Sequence, residues 1–439
     1  MRSTPLSFAP AALPPGAGPL PGSLRRLRPA ERKSSYLAVL LLLIVLLERF
    51  AISFGSQQIP VVVPVVLVAL GIGVVRGHIV LDRRRAPLVL ALWLVSLVCT
   101  LAQLMTGQLP SVLSLALLVL LYLPLLGTST QSANSTGVAA RAFLTMMTIA
   151  AGVSLVQFLI QYAGIENIDW LAAIVPNQFL LQGYFPNAVV RYGETLRRSN
   201  GVLFLEPSFL SFFLGLAALI GVRVRVPWWQ LLLLLAGMVP TLAGNGLVVL
   251  IPGLVVTFFS PLRRNLLRLL PGLVVTVGVA AATPLGALYL GRSQETSSTK
   301  SSSSLRFVLP YSDLLPASLD SPFHALLGHG AGTSDDFLNS IGAGDVTRAV
   351  FPKILFEYGM LGFLGIGIVL LVVMIAALRS RPWLVGLVLA FFFLNASLLQ
   401  AELVFVTLFW LTIIPGRKPT TSDPPARSSP LLVKEPVSP

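Results

Sequence analysis

Apolar runs follow one another along almost the whole chain, at about 36–54, 58–75, 87–106, 111–127, 142–163, 201–222, 228–242, 243–260, 269–290, 351–378, 383–398 and 401–415. At ~1.5 Å of helix per residue, most are long enough for the ~30 Å hydrocarbon core of a bilayer. Only 11% of the 439 residues are charged, against about 25% in a soluble domain. The expected fold is therefore all-α: a polytopic transmembrane bundle of about twelve spans, give or take two. Runs 228–242 and 243–260 meet at Gly244–Gly246. They read either as two helices or as one hairpin with a re-entrant tip, and Asn245 at that break is a secondary site candidate.

Residues 1–35 are rich in Pro, Gly, Ala and Arg without a period, and read as a disordered basic cytoplasmic arm. They are not a secretory signal, because the first apolar run starts at Tyr36 and is long enough to span. The transmembrane domain is expected over 36–415, and a Pro- and Ser-rich tail over 416–439, disordered and cytoplasmic. The single cysteine, Cys99, lies in an apolar run, which excludes a disulfide framework or a cysteine metal cluster within one chain.

The net charge of +14 would suggest a nucleic-acid surface in a soluble protein. Its placement gives a different reading. With the N-terminus in the cytoplasm, 22 of the 31 Lys and Arg fall in cytoplasmic segments, among them Arg83–Arg85, Arg263, Arg264 and Arg268. That bias predicts a bacterial inner-membrane protein with both termini cytoplasmic. The charge then serves topology and anionic lipid, and no nucleic acid is needed as partner.

Two long connections, 164–200 and 291–350, fall outside the cytoplasm in this orientation, and long ordered loops are where function concentrates. Residues 296–304 read as a flexible link, whereas aromatic and apolar pairs elsewhere predict short interfacial helices.

The first connection ends with Arg197, Arg198, Ser199, Asn200 and Gly201 and leads through Phe204 and Leu205 into Glu206, Pro207 and Ser208. Two arginines at the mouth of an apolar helix suit a lipid-linked phosphate, which a guanidinium grips with two hydrogen bonds. The blander reading is arginines reaching for lipid head groups. Glu206 is expected about two turns inside the span, where a carboxylate must be paired, protonated or functional. Pro207 predicts a kink or half-helix there.

In the second connection Arg306 is a second candidate phosphate clamp, and Gly328, Gly330 and Gly332 make a turn around His329. His324, His329, Asp335 and Asp336 match metal-ligand spacing poorly, so no metal is expected. His329 reads instead as a proton acceptor, a hydrogen-bond donor or a turn residue. Glu357, in the run that follows, is either a site residue or the partner of Lys353 one turn earlier. Glu402 and the pair Glu48–Arg49 read as interfacial or structural.

Taken together, Arg198–Gly201 with Phe204–Ser208, Arg306, Leu327–Gly332 and Phe356–Gly362 resemble the O-antigen polymerase and O-antigen ligase superfamily of bacterial envelope enzymes. The likeness covers roughly residues 195–365, and the first half of the chain matches only in hydropathy. It implies a membrane glycosyltransferase fold with a large outer loop capping a helical bundle. The partner it implies is an oligosaccharide on undecaprenyl diphosphate, used outside the cytoplasm without nucleotide sugar, cofactor or metal. A chain-length regulator is a further candidate partner. Carried over, Arg198 and Arg306, with Arg197 beside them, would bind the diphosphate, and Glu206 or His329 would act as the base.

Two departures bear on the reaction. Relatives often carry a Ser-Arg pair where this chain has Thr241–Gly246 without an arginine. Ligases often carry a His-Asn pair where this chain has Asp345–Ala349, which favours polymerase over ligase. A transporter is the alternative from another class. Against it, no repeat relates the two halves of the chain, and the long connections lie outside.

Overall fold

The computed structural model describes residues 35–54, 57–107, 109–190, 196–282, 304–305, 308–344, 346, 348–394 and 398–414. Residues 1–34 of the basic arm, 296–303 of the link at 296–304, Arg306, Asp345 and the tail lie outside these residues.

The described chain is mostly helical. Helix α1 (Ser35–Leu46) leads into a short antiparallel pair, β1 (Ala51–Phe54) and β2 (Gln57–Pro60), in which Ala51 faces Pro60. Helix α2 (Val62–Val75), strand β3 (Ile79–Leu81), helices α3 (Ala86–Leu104) and α4 (Val112–Tyr122), and strand β4 (Gly127–Ser129) follow. Antiparallel β3 and β4 join the connections that follow α2 and α4. Helix α5 (Ala133–Leu159) comes next, and the short α6 (Trp170–Ile174) lies in the first long connection. Then come α7 (Pro207–Val224), α8 (Trp228–Met238), α9 (Asn245–Phe258) and α10 (Leu270–Ala282). The second long connection holds α11 (Leu309–Ser318), α12 (Pro322–Leu327) and α13 (Thr333–Ser340). The chain closes with α14 (Val350–Gly362), α15 (Ile368–Ser380), α16 (Val385–Phe393) and α17 (Ala401–Leu408).

Among the described residues, four helices are long and apolar enough to cross a membrane: Ala86–Leu104, Ala133–Ala163, Pro207–Val224 and Val350–Ser380. Seven shorter apolar helices accompany them. The chain is thus a membrane protein by its apolar helices, while twelve full spans are not established. One reason is visible at the first run. Its helix stops at Leu46, and the chain then turns so that Glu48 and Arg49 are buried against other segments. The Gly244–Gly246 break separates two helices, α8 and α9.

The core centres on α7, 89% of whose residues are buried inside the protein, against 33–44% in the other three long helices. Its neighbours are α5, α8 and α9. The approach of α7 to α9 is close: a Cβ on Gly215 would overlap the Gly246 backbone, and a Cβ on Gly246 would overlap Ser211. Small residues let helix backbones meet in this way where lipid offers no hydrophobic drive.

Candidate active site

The first group of candidate residues is a knot around the end of the first long connection. The Arg197 guanidinium bonds Asn187 O at 3.3 Å and Glu166 Oε1 at 3.2 Å, and Arg198 Nε donates to Val189 O at 3.1 Å. Behind them Ser199 and Asn200 are fully buried. Gln157, on α5, donates to Asn200 Oδ1 at 3.1 Å and accepts from the Gly201 amide at 3.0 Å. The chain then turns through Gly201 and Val202, both with positive φ (65° and 67°). For a β-branched residue that is a true outlier, which persists only where the surroundings over-determine it. Here Arg49 supplies the constraint: one guanidinium nitrogen donates to Val202 O at 2.9 Å and to Asp169 Oδ1 at 2.8 Å, while the other pairs with Asp169 Oδ2. Burial alone would raise the Asp169 carboxyl, but the hydrogen bond and charge of Arg49 outweigh it and hold the group below its ordinary value.

Glu206 differs from its expected position. It stands at the N-cap of α7 rather than two turns inside a span, and Pro207 opens the helix instead of kinking it. The reason is local. Proline's missing N–H costs nothing at the first helical position, where that donor has no intrahelical partner anyway. The Glu206 carboxylate accepts from the Phe185 amide at 3.3 Å and from Ser208 Oγ at 3.0 Å, at the end of α7 where the helix dipole favours negative charge.

Two acids read from the sequence as structural join this knot. Glu48, fully buried, accepts from the Leu205 amide at 2.9 Å, next to Glu206, and its second oxygen has no partner among the described residues. Glu402, in the first turn of α17, is also buried, and its Oε1 likewise has no partner there. Tyr184 links the acids: its hydroxyl accepts from Gln400 Nε2 at 3.4 Å, and its neighbour Phe185 donates to Glu206. Burial, and then the charges of Glu402, Glu206 and Glu48, push the Tyr184 phenol far up. Beside it is a cavity of about 70 Å³ lined by Arg49, Asp169, Leu180, Gln182, Tyr184 and Leu205. The sequence signal for Glu48 and Glu402 was the same as for Glu206, an acid bordering an apolar run. A larger, shallow recess at Phe258–Arg264 is lined by no carboxylate or imidazole.

The second group belongs to the second long connection. Residues 328–330 run alongside the start of α14, with His329 N donating to Phe356 O and Gly330 N to Glu357 O, both at 2.8 Å. The Leu327–Gly332 and Phe356–Gly362 segments, far apart in the chain, thus meet. The His329 ring stacks on Phe356 at 4.4 Å, and its Nε2 lies 3.0 Å from Ala317 O. Burial lowers the His329 pKa, against the Ala317 carbonyl and the Asp320 charge. For Asp320 burial would act upward, but the hydrogen bond and charge of His324 hold the carboxyl below its ordinary value.

Glu357 is fully buried and paired with Lys353 at 2.7 Å, and Ser334 Oγ donates to the same carboxylate at 2.6 Å while accepting from Lys353 Nζ at 2.9 Å. Asn245 is the first residue of α9, half-buried near Ser211. Glu206, Arg197 and Arg198 thus share one knot, while His329 and Glu357 belong to the other group.

A model of the WcaD colanic acid polymerase family matches residues 36–414. The chain belongs to this family. WcaD membership agrees with the resemblance to O-antigen polymerases and makes the chain a glycosyltransferase-like polymerase of polysaccharide repeat units, which implies a lipid-linked oligosaccharide substrate. The WcaD match spans both residue groups. No curated protein matches the chain.

Proposed function

We propose that this chain joins oligosaccharide repeats carried on undecaprenyl diphosphate into an O-antigen-like or exopolysaccharide chain, working on the outer face of the bacterial inner membrane. Arg198, with Arg197 and Arg306, binds the donor diphosphate and stabilises the charge that grows on it as it leaves. Glu206 takes the proton of the acceptor hydroxyl. The acceptor oxygen bonds to the anomeric carbon, the bond from that carbon to the phosphate oxygen breaks, and the lipid diphosphate departs with the electron pair.

The observation that carries this reading is the knot at 197–208. There a carboxylate at a helix N-terminus follows Arg197 and Arg198 by nine and eight residues and stands next to Leu205, whose amide donates to the buried acid Glu48. Glu206 is favoured over His329 because, among the described residues, Glu206 shares a knot with Arg197 and Arg198 and His329 does not.

The test is the glycan profile of a deletion strain complemented with wild type, Glu206→Gln or Arg198→Ala at matched membrane levels. The expected outcome is single repeats on the carrier for both variants, with polymer falling by roughly a hundredfold or more, the size typical of losing an acid–base or electrostatic group. Long polymer that forms on the carrier but never reaches its final acceptor would make the chain a ligase. Full complementation by both variants would remove the arginines and Glu206 from the site and favour transport.

A further inference from the structure

The second long connection gathers three side chains that the polymerase reading leaves without a role. Asp320, His324 and His329 each offer a ligand atom, and these atoms all lie within 4.8 Å of one another. His324 Nδ1 is 2.7 Å from Asp320 Oδ1, and His329 Nε2 is 3.9 Å from Asp320 Oδ2. We propose that Asp320, His324 and His329 bind one divalent transition-metal ion of the zinc class.

Three features support the site. First, the donor set is right: two imidazole nitrogens and a carboxylate are ligands that zinc and its neighbours favour, and three protein ligands leave a position for water or another oxygen. Second, both imidazoles are held before any ion arrives. His324 sits in the first turn of α12, its amide capped by Ser321 Oγ at 3.1 Å, while His329 is fixed by its bond to Phe356 O and by its ring stacked on Phe356. Third, the two rings already face each other with centroids 4.0 Å apart, both largely withdrawn from solvent. His329 Nε2 lies 3.0 Å from Ala317 O and donates its proton there when no ion is bound, so binding of the ion at that nitrogen displaces this proton.

Such an ion is structural in this proposal and does not depend on the polymerase chemistry. It clips the end of α11, the start of α12 and the 328–330 turn to Phe356 on α14, fixing the part of the second connection that lies against the helical core. Its gain is the binding free energy of the ion itself, since Asp320 and His329 are only nine residues apart and little loop-closure entropy is at stake.

The site is tested on the full chain, purified in detergent without a polyhistidine tag, stripped with a chelator, equilibrated with zinc and dialysed. About one zinc per chain is expected by mass spectrometry, with a rise in the thermal midpoint. Asp320→Asn and His324→Ala should each bind zinc at least about tenfold more weakly and show no zinc-dependent rise. Asp320→Asn keeps the size of the side chain at a half-exposed position, so it reports ligation even if the histidine variant folds poorly. His78→Ala, which alters the remaining histidine, should bind like wild type. No retention by wild type, or equal retention by wild type, Asp320→Asn and His324→Ala, overturns the site and leaves Asp320–His324 as an ordinary ion pair.

Discussion

Lys353 and Glu357 stand one turn apart on α14, and neither reaches solvent. Their attraction offsets the cost of taking both charges out of water, and Ser334 bridges them. Removing one partner leaves the other buried and uncompensated, so Lys353→Met should destabilise the protein by about 3–5 kcal/mol. The double replacement Lys353→Met with Glu357→Leu should recover most of that loss. Thermal unfolding in detergent of the two single variants and the double variant checks this. Equal loss in all three would mean that the pair is not the source. The spacing of these two residues made the pair readable from the sequence alone. Arg49–Asp169 was not readable, because its members are 120 residues apart and only the fold brings them together. The positive φ of Val202 was also hidden, since nothing in a valine announces a turn that an arginine elsewhere must hold.

Helix boundaries were legible where proline or glycine set them and misread where tertiary contacts did. Pro207 marked an element edge, yet the apolar residues before it suggested that the span had already begun, which put Glu206 too deep. Gly359 lies in an apolar run that reads as one helix, but its φ of 60° and ψ of −163° break α14. The cause lies in another element. Gly328, just past α12, has φ +73° and backs onto this kink: a Cβ there would overlap the Glu357 and Tyr358 backbone, and one on Gly359 would overlap Gly328 and Leu326. The Gln103 side chain, on α3, donates to the Gly328 carbonyl and locks the junction. Gly328→Ala should cost at least about 1–3 kcal/mol from its backbone conformation alone, with the overlap added. Gly342→Ala is the control, since it too has positive φ (+71°) but open space around its Cβ position. Unfolding temperatures of both variants separate the two costs. A Gly328→Ala protein as stable as Gly342→Ala would show that the two elements do not need this contact.

Across the whole molecule, contacts between connections fall into sets that follow the alternation of the helices. The first long connection meets the turn after α1 through Phe50 and Leu180, the turn after α8 through Ser199 and Pro240, and the segment before α17 through Tyr184 and Gln400. The second meets the turn after α3 through Ala331 and Ser111. A different set joins Arg85 to the carbonyls of Leu125 and Thr412, and Arg381 to those of Trp410 and Ile414. The arginine-rich short turns belong to this second set, which the charge bias assigns to the cytoplasm. The hydropathy pattern places the connections in these sets at the ends of apolar runs. It could not carry the span count, because buried turns such as Glu48–Arg49 sit inside apolar runs. The buried Cys99 is the sole cysteine, so a Cys99→Ala background accepts single reporters. Phe185→Cys and Leu319→Cys occupy exposed positions on the long connections, while Val75→Cys and Phe259→Cys occupy exposed positions near the arginine-rich turns. With a membrane-impermeant maleimide, the first pair should label in intact spheroplasts and the second only after lysis. The reverse pattern would turn Arg197, Arg198 and Glu206 toward the cytoplasm. A lipid diphosphate used on the outer leaflet could then not reach them, and the proposed polymerase site would have to be abandoned even though the family assignment stood.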